Sequence, residues 1–410
     1  MPSHSTNIPT VQKAAVLQGI DVGGAIELVS VPVPVLKTGH ILVKMSWSGL
    51  CHSDVAIVRN YLPETPFREM ALRNAQGVVG HEGVGRVVSM AEDVAAESLW
   101  RIGDRVGIKW VSSTCGKCEF CLNGKDKVLC PAQQNPGTTE PGTFQQYAAT
   151  DARFATRVPE GVSDEEAAPL LCAGLTAFGA TKRSQVSAGG WLVILGAGGG
   201  VGHLSLQYAK AMGMRTIAVD LGAEKRKLCQ ELGADHFIDA ATEPAITETV
   251  LSLTGYGGTS CPTASRKVFQ SADCCGEAHG VVMATLDQKA YDMAPNLLRP
   301  RGTMVVVAFP KSLTFKAGAS PLTMTLKMVS YNSFANFYLY THEANHSTLQ
   351  INIVGSTTGT REEMDEVLDL AARRVVRPVV NKAPLKDLDK AMDRLMEGNV
   401  LGKVVIQIED

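Results

Sequence analysis

Long apolar runs are missing from this sequence: no stretch of about 18 apolar residues occurs, which predicts no membrane-spanning helix. Net charge is almost absent as well. Lys and Arg total 39 against 41 Asp and Glu, a formal charge of −2, and no basic run or aromatic-plus-basic stripe is found. No strong field therefore draws nucleic acid or anionic lipid, and neither is expected as a partner. Residues 1–10 lack the positively charged start and apolar stretch of a secretory signal. A cytoplasmic setting is expected, in which the ten cysteines are thiols or metal ligands rather than disulfides. Internal repeats and low-complexity tracts are also missing. What is there is ordinary globular composition, 45% hydrophobic and 20% charged, over 410 residues, a length that suggests two domains.

Up to about residue 171, short apolar runs are split by glycines, as at 41–45, 84–88 and 105–111. Such runs predict a β-rich domain. Between Cys115 and Gly142 the apolar content falls in favour of Cys, Gly, Lys, Asn and Pro. An excursion of that composition needs something other than a core to hold it. From about residue 173, strand-like and helix-like stretches alternate. Apolar runs occupy 191–195 and 216–219, helical patterns 204–212 and 224–232, and a late strand 304–308. This alternation predicts a doubly wound parallel sheet with helices on both faces, an α/β fold. A helix with a charged face at 362–374 and a strand at 403–408 close the chain.

The segment Trp191-Leu-Val-Ile-Leu-Gly196-Ala-Gly198-Gly199-Gly200-Val-Gly202 reads as strand, glycine turn and helix start. Gly196, Gly199, Gly200 and Gly202 let the backbone turn sharply and approach a pyrophosphate, whose charge meets the free N–H groups of the helix start. Asp220 ends the next apolar run. A carboxylate there accepts hydrogen bonds from an adenosine ribose and repels a 2′-phosphate. The pattern favours NAD over NADP, tempered by Lys225, a cation able to tolerate the phosphate. A glycine cluster alone reads equally well as a flexible turn. The strand, helix and distant acid falling in place together favour the dinucleotide.

Cys115, Cys118 and Cys121 follow C-x2-C-x2-C spacing, with Cys130 downstream. Thiolates at CxxC spacing bind one tetrahedral ion without strain, and four of them leave no open position for substrate. A structural zinc is predicted, tying down the excursion that has no core of its own. Further candidates stand in Cys51-His52-Ser53-Asp54, Gly80-His81-Glu82 and Leu171-Cys172-Ala173-Gly174. They are far apart in sequence, and each alone reads as well as a packed core residue.

Several strings run in order through most of the chain: Gly49-Leu-Cys-His-Ser-Asp54, Gly80-His-Glu-Gly-Val-Gly85, Gly107-Ile-Lys-Trp110, the cysteine cluster, Thr143-Phe-Gln-Gln-Tyr147, Pro169-Leu-Leu-Cys-Ala-Gly-Leu-Thr176 and Gln207-Tyr-Ala-Lys-Ala-Met-Gly213. Together they resemble the medium-chain, zinc-containing alcohol dehydrogenases, especially the yeast and fungal branch. The resemblance implies a β-rich GroES-like catalytic domain, 1–177 plus 356–410, and a Rossmann domain for NAD, 178–355. It implies a catalytic zinc on Cys51, His81 and Cys172, with Asp54 and Glu82 as nearby carboxylates and Glu82 an alternate ligand. With the structural site on Cys115, Cys118, Cys121 and Cys130, two zinc ions per subunit are implied. Ser53 would take the proton of the substrate hydroxyl, His52 and Lys403 would face the cofactor pyrophosphate, and Thr176 would lie near the nicotinamide. Tyr61 and Trp110 would narrow the pocket to a small primary or secondary alcohol and its aldehyde or ketone. A homodimer or homotetramer is implied as well.

The chain departs from the family pattern in places. Ala56 stands where the family often has a proton-relay histidine, so proton exit needs another group or water. One residue more than usual separates Cys121 from Cys130, and the loop around 63–74 is enlarged, which bears on the shape of the pocket. Segments 259–277 and 329–350 have no counterpart in the family. The second is read here as a translated, unspliced intron, with a genuine surface insertion as the alternative that transcript sequencing distinguishes. Two other functions stay open: a dehydrogenase of a polyol or bulkier pathway alcohol or aldehyde, and a catalytically impaired zinc- and nucleotide-binding relative. The complete set Cys51, Ser53, His81 and Cys172 argues against lost chemistry.

Overall fold

The computed structural model describes residues 8–19, 24–61, 65–123, 127–255, 277–308, 330–332 and 351–408. Segment 259–277 lies outside the described residues apart from Glu277, and of 329–350 only the short strand Ser330–Asn332 is described. The chain forms two compact units, Met1–Leu175 with Thr358–Asp410, and Thr176–Thr357, each junction two residues from the expected one. Among the described residues no helix is long and apolar enough to cross a membrane.

The spine of the first unit is the strand His40–Leu50. It pairs antiparallel with Gly83–Met90, Lys403–Gln407 and Tyr147–Asp151. The sheet continues through Arg105–Ile108 and Thr156–Arg157 on one side and Val380–Pro384 on the other. Ile41, Val43, Leu50, Val87, Val106 and Ile406 fill its core. Register decides what this sheet does. Leu50 is paired with Val404, and Ser48 with Gly83. One step on, the Gly49 N–H donates to the Glu82 carbonyl at 2.9 Å. Antiparallel pairing thus delivers the strand end at Cys51 to His81 and Glu82 on one side and Lys403 on the other. Gly49 has to lack a side chain, because a Cβ there would stand 1.9 Å from Glu82 Oε2.

In the second unit the strands Trp191–Leu195, Arg215–Asp220, His236–Asp239, Ala278–Met283, Leu298–Val306 and Asn352–Gly355 run parallel. Counted along the chain, they lie 3-2-1-4-5-6 across the sheet, the doubly wound dinucleotide-binding order. Ser330–Asn332 adds an antiparallel edge beside Asn352–Gly355. The run 191–195 is apolar throughout because both of its faces are covered. Val193 and Leu195 enter one core, Leu192 and Ile194 the other. The helix Gly202–Ala211 contributes Leu206 and Ala209 to one face, and Ile246–Thr254 contributes Val250 to the other. The late strand, expected at 304–308, starts at Leu298 instead. Its register shifts between Ala278 and Gly280, and Arg301 takes φ 65°, so the Arg-Pro-Arg-Gly interruption hides the first residues of the strand from an apolar pattern.

Candidate active site

The spine strand passes directly into the helix His52–Arg59, with Cys51 as its extended N-cap. The Cys51 N–H donates to Asp54 Oδ2 at 3.0 Å, the reach-back open to an acidic residue three places into a helix. The other oxygen of the same carboxylate, Oδ1, accepts from His81 Nδ1 at 2.9 Å. Asp54 is 1% exposed, so both bonds are made out of water. An ionised carboxylate only accepts; Nδ1 therefore carries a proton, which leaves Nε2 as the ring nitrogen that a metal could take. Metal-ligating histidines are oriented by this kind of second hydrogen bond. Burial pulls the pKa of His81 down, yet the Asp54 carboxylate and the Cys51 sulfur carry it well above the usual imidazole value, so a metal at Nε2 would take the place of a proton there.

Cys172 arrives from another part of the chain. The helix Asp164–Pro169 is capped by Ser163 with Glu166, and Asp164 ties it to Arg105 and to Ser46 Oγ. Pro169 has no N–H to give to the preceding turn, and the chain widens into a π turn, Leu170–Gly174, with Cys172 at its middle. The sulfurs of Cys51 and Cys172, a ring nitrogen of His81 and an oxygen of Glu82 all lie within 4.8 Å of one another. The Cys172 thiol beside it holds Cys51 well below the usual thiol pKa against the effect of burial, and Lys403 adds to the shift. Cys172 is pushed well up in return.

Lys403, which the resemblance turned toward the cofactor, is brought against Glu82. Its ammonium donates to Glu82 Oε1 at 2.6 Å and to the Leu50 carbonyl at 3.0 Å. Burial pushes the Glu82 carboxyl up to about 7 in spite of that lysine. Glu82 Oε2 is buried with no hydrogen-bond partner. An orphaned acceptor beside two sulfurs and an imidazole nitrogen is a donor set that fits zinc.

The remaining expected residues fall around this centre or apart from it. Ser53 is half-buried on the second position of the helix, and Ala56 is buried between Val55 and Ile57. His52 heads the helix, and its carbonyl accepts from the Tyr61 hydroxyl at 2.9 Å. Trp110 meets His81 edge-on, with ring centroids 5.1 Å apart. Thr176 lies buried near the start of the helix Leu175–Arg183 and belongs to the second unit.

The sulfurs of Cys115, Cys118, Cys121 and Cys130 also lie within 4.8 Å of one another. Cys118 and Cys121 are 3.4 Å apart, Cys130 and Cys115 3.6 Å, and Cys115 and Cys121 3.9 Å. A disulfide needs about 2.05 Å. Four sulfurs at about 2.3 Å from one tetrahedral ion stand roughly 3.8 Å apart, and this spacing fits such an ion. The additional residue before Cys130 does not keep it out of the cluster.

In the second unit, Gly196 turns at φ +85°, and a Cβ on Gly202 would stand 2.0 Å from the Gly196 carbonyl oxygen. Asp220 reaches this loop. Its Oδ2 accepts from the Gly198 N–H at 2.7 Å, and its Oδ1 accepts from the Leu221 N–H at 2.8 Å and from Lys225 at 2.9 Å. Of about four lone-pair directions on a carboxylate, one on Oδ2 remains for another donor.

Residues 37–160 match the alcohol dehydrogenase GroES-like domain, and residues 200–373 match the zinc-binding dehydrogenase domain. Alcohol dehydrogenase 1 of Emericella nidulans is 36% identical over 404 residues, covering 98% of this chain and 100% of the relative. The chain belongs to the zinc-binding alcohol dehydrogenases. Among solved structures, the alcohol dehydrogenase of Aeropyrum pernix superposes with a TM-score of 0.75 at 27% identity, over 97% of this chain and all of that one. The acetophenone reductase of Geotrichum candidum, solved in complex with NAD, superposes with a TM-score of 0.72 at 25% identity, over 98% of each chain.

The stretch 65–74, in the loop expected to be enlarged, holds residues that the sequence reading did not single out. Its second half is the helix Phe67–Arg73. Arg68 is buried and donates to the carbonyls of Ile57 and Val58, at the end of the helix that begins beside Cys51, and to the Gly19 carbonyl at 3.0 Å. Phe67 meets Trp110 edge-on, with centroids 6.4 Å apart. Two turns of helix leave too short an apolar pattern to read, so no sequence signal marked these residues.

Proposed function

We propose that this alcohol/aldehyde oxidoreductase interconverts small primary or secondary alcohols and their carbonyl products with NAD, using one catalytic and one structural zinc. The observation that carries the reading is Asp54, whose one carboxylate organises both Cys51 and His81 beside Cys172. Zinc held by Cys51, His81 and Cys172, with Glu82 as alternate ligand, supplies a Lewis acid that eases loss of the hydroxyl proton, and NAD supplies the hydride acceptor. The work of the chain itself is positional and protonic. Asp54 keeps the proton on His81 Nδ1 and so keeps Nε2 free to ligate. Ser53, both donor and acceptor, takes the proton of the alcohol. Ala56 can neither accept nor donate, so the onward route from Ser53 runs through water. Cys115, Cys118, Cys121 and Cys130 hold the second zinc and order the excursion around it.

On the cofactor side, Gly196, Gly199, Gly200 and Gly202 open the loop to a pyrophosphate. The free lone pair of Asp220 suits a ribose hydroxyl, while Lys225 reduces without cancelling its repulsion of a phosphate. By the resemblance His52 and Thr176 would contact the cofactor, whereas the Lys403 ammonium is taken up by Glu82 and the Leu50 carbonyl. The family resemblance supports a homodimer or homotetramer in the cytoplasm. An alcohol panel assayed with NAD and with NADP tests the proposal: reduction of NAD by short alcohols supports it, and reduction of neither cofactor by any alcohol overturns it.

A further inference from the structure

The Trp110 indole makes two edge contacts. One is with the His81 ring, at 5.1 Å and 78°, and one with the Phe67 ring, at 6.4 Å and 87°. Neither neighbour is free to yield. His81 is pinned by Asp54. Phe67 packs on the core of the first unit, and the adjacent Arg68 anchors its helix through three backbone carbonyls. The backbone at Trp110 is held as well, since its carbonyl accepts from Asn135 Nδ2 at 2.8 Å. The Phe67 ring is thus an anchored neighbour of the Trp110 side chain.

We infer that Phe67, supplied by this chain's enlarged loop, sets the upper size limit of the alcohol by holding the Trp110 indole against His81. The inference rests on the proposed function above, which places the alcohol beside the metal ligand His81. Phe67 is a positioning residue and acts only through Trp110. The enlarged loop therefore narrows the substrate range rather than opening it to bulky alcohols. An edge-to-face aromatic pair corresponds to roughly a 2- to 10-fold preference.

The test uses the zinc-loaded full chain with NAD and a series of alcohols from ethanol to octanol and benzyl alcohol. Phe67→Ala is expected to raise the ratio of kcat/KM for benzyl alcohol over ethanol by roughly 2- to 10-fold, through KM rather than kcat. Phe67→Tyr, which keeps the ring, should restore the original ratio. Trp110→Ala should raise the ratio by itself, and adding Phe67→Ala to it should raise it no further. A ratio that stays fixed in Phe67→Ala while Trp110→Ala moves it overturns the inference, and so does simple addition in the double variant. If the unaltered chain oxidises no alcohol in the series, it is the proposed function that fails.

Discussion

Replacing Asp54 by Asn removes one charge and one acceptor while keeping the shape of the side chain. The carboxylate faces two donors, the Cys51 N–H at 3.0 Å and the His81 Nδ1–H at 2.9 Å. An amide has a single oxygen, so its NH2 group must point at one of the two. If it points at His81, the imidazole keeps that bond only by moving its proton to Nε2, which occupies the lone pair meant for the metal. The bond at stake is buried and charge-assisted, a class worth about 1.5–3 kcal/mol, or roughly 10- to 150-fold in a binding constant. Substitutions behind a metal ligand typically cost about 10- to 100-fold in metal affinity. The two figures agree, and a rise of about 10- to 100-fold in the dissociation constant of the catalytic zinc is expected. Equilibrating Asp54→Asn and the unaltered chain against graded zinc buffers, with zinc counted per chain, measures it. The zinc on the four-cysteine site should stay in place, and alcohol oxidation should fall with the zinc that is lost. A shift of twofold or less, with the rate intact, would refute the argument that Asp54 organises the site.

Cys115→Ser is expected to lower the thermal midpoint far more than it harms the chemistry of molecules that remain folded, whereas Cys172→Ser abolishes turnover with little change in melting. Reversed phenotypes would mean that the two sites had been exchanged. Asp220→Ser removes a buried charged acceptor and should move the kcat/KM ratio toward NADP by about 10-fold or more; an unmoved ratio would remove Asp220 from cofactor recognition. Burial works against ionisation of Asp151, but the guanidinium and N–H of Arg153 and the Ser113 hydroxyl hold its pKa below the usual aspartate value. Because the folded value is the lower one, the pairing contributes stability above about pH 4 that is lost as pH falls through the folded value. Urea unfolding midpoints followed from pH 6 downward should therefore fall less steeply in Asp151→Asn, and an unchanged acid limb would contradict the assignment.

The glycine loop and the four-cysteine cluster were legible because each is local. Strand, turn, helix start and Asp220 follow in one run, and the CxxC spacings bring sulfurs together without help from the rest of the fold. Cys51, His81 and Cys172 were not legible from spacing. They are joined by the pairing of Leu50 with Val404 and of Ser48 with Gly83 and by a π turn after Pro169, none of which single residues announce. Only the family strings named them in advance. Lys403 shows the limit of that route. The resemblance named the residue, but its partner Glu82 is 321 positions away and became visible only once the sheet register was known. The same holds for Asp54, which the resemblance placed near the metal but whose two bonds, from the Cys51 N–H and from His81 Nδ1, became visible only in the fold. Phe67 and Arg68 belong to a loop whose enlargement was plain and whose helix was not, because their stability comes from tertiary partners rather than from periodicity.

On the proposed function, a metal held by Cys51, His81 and Cys172 carries the oxidation of an alcohol by NAD. NADH absorbance followed with ethanol and NAD through metal removal and return tests it most directly. Activity should be present in the zinc-loaded chain, disappear when a chelator strips the zinc, and return when zinc is restored, with no return in Cys172→Ser. A chelated, zinc-free chain that still reduces NAD at the original rate, or a folded Cys172→Ser variant that matches it, would contradict the claim.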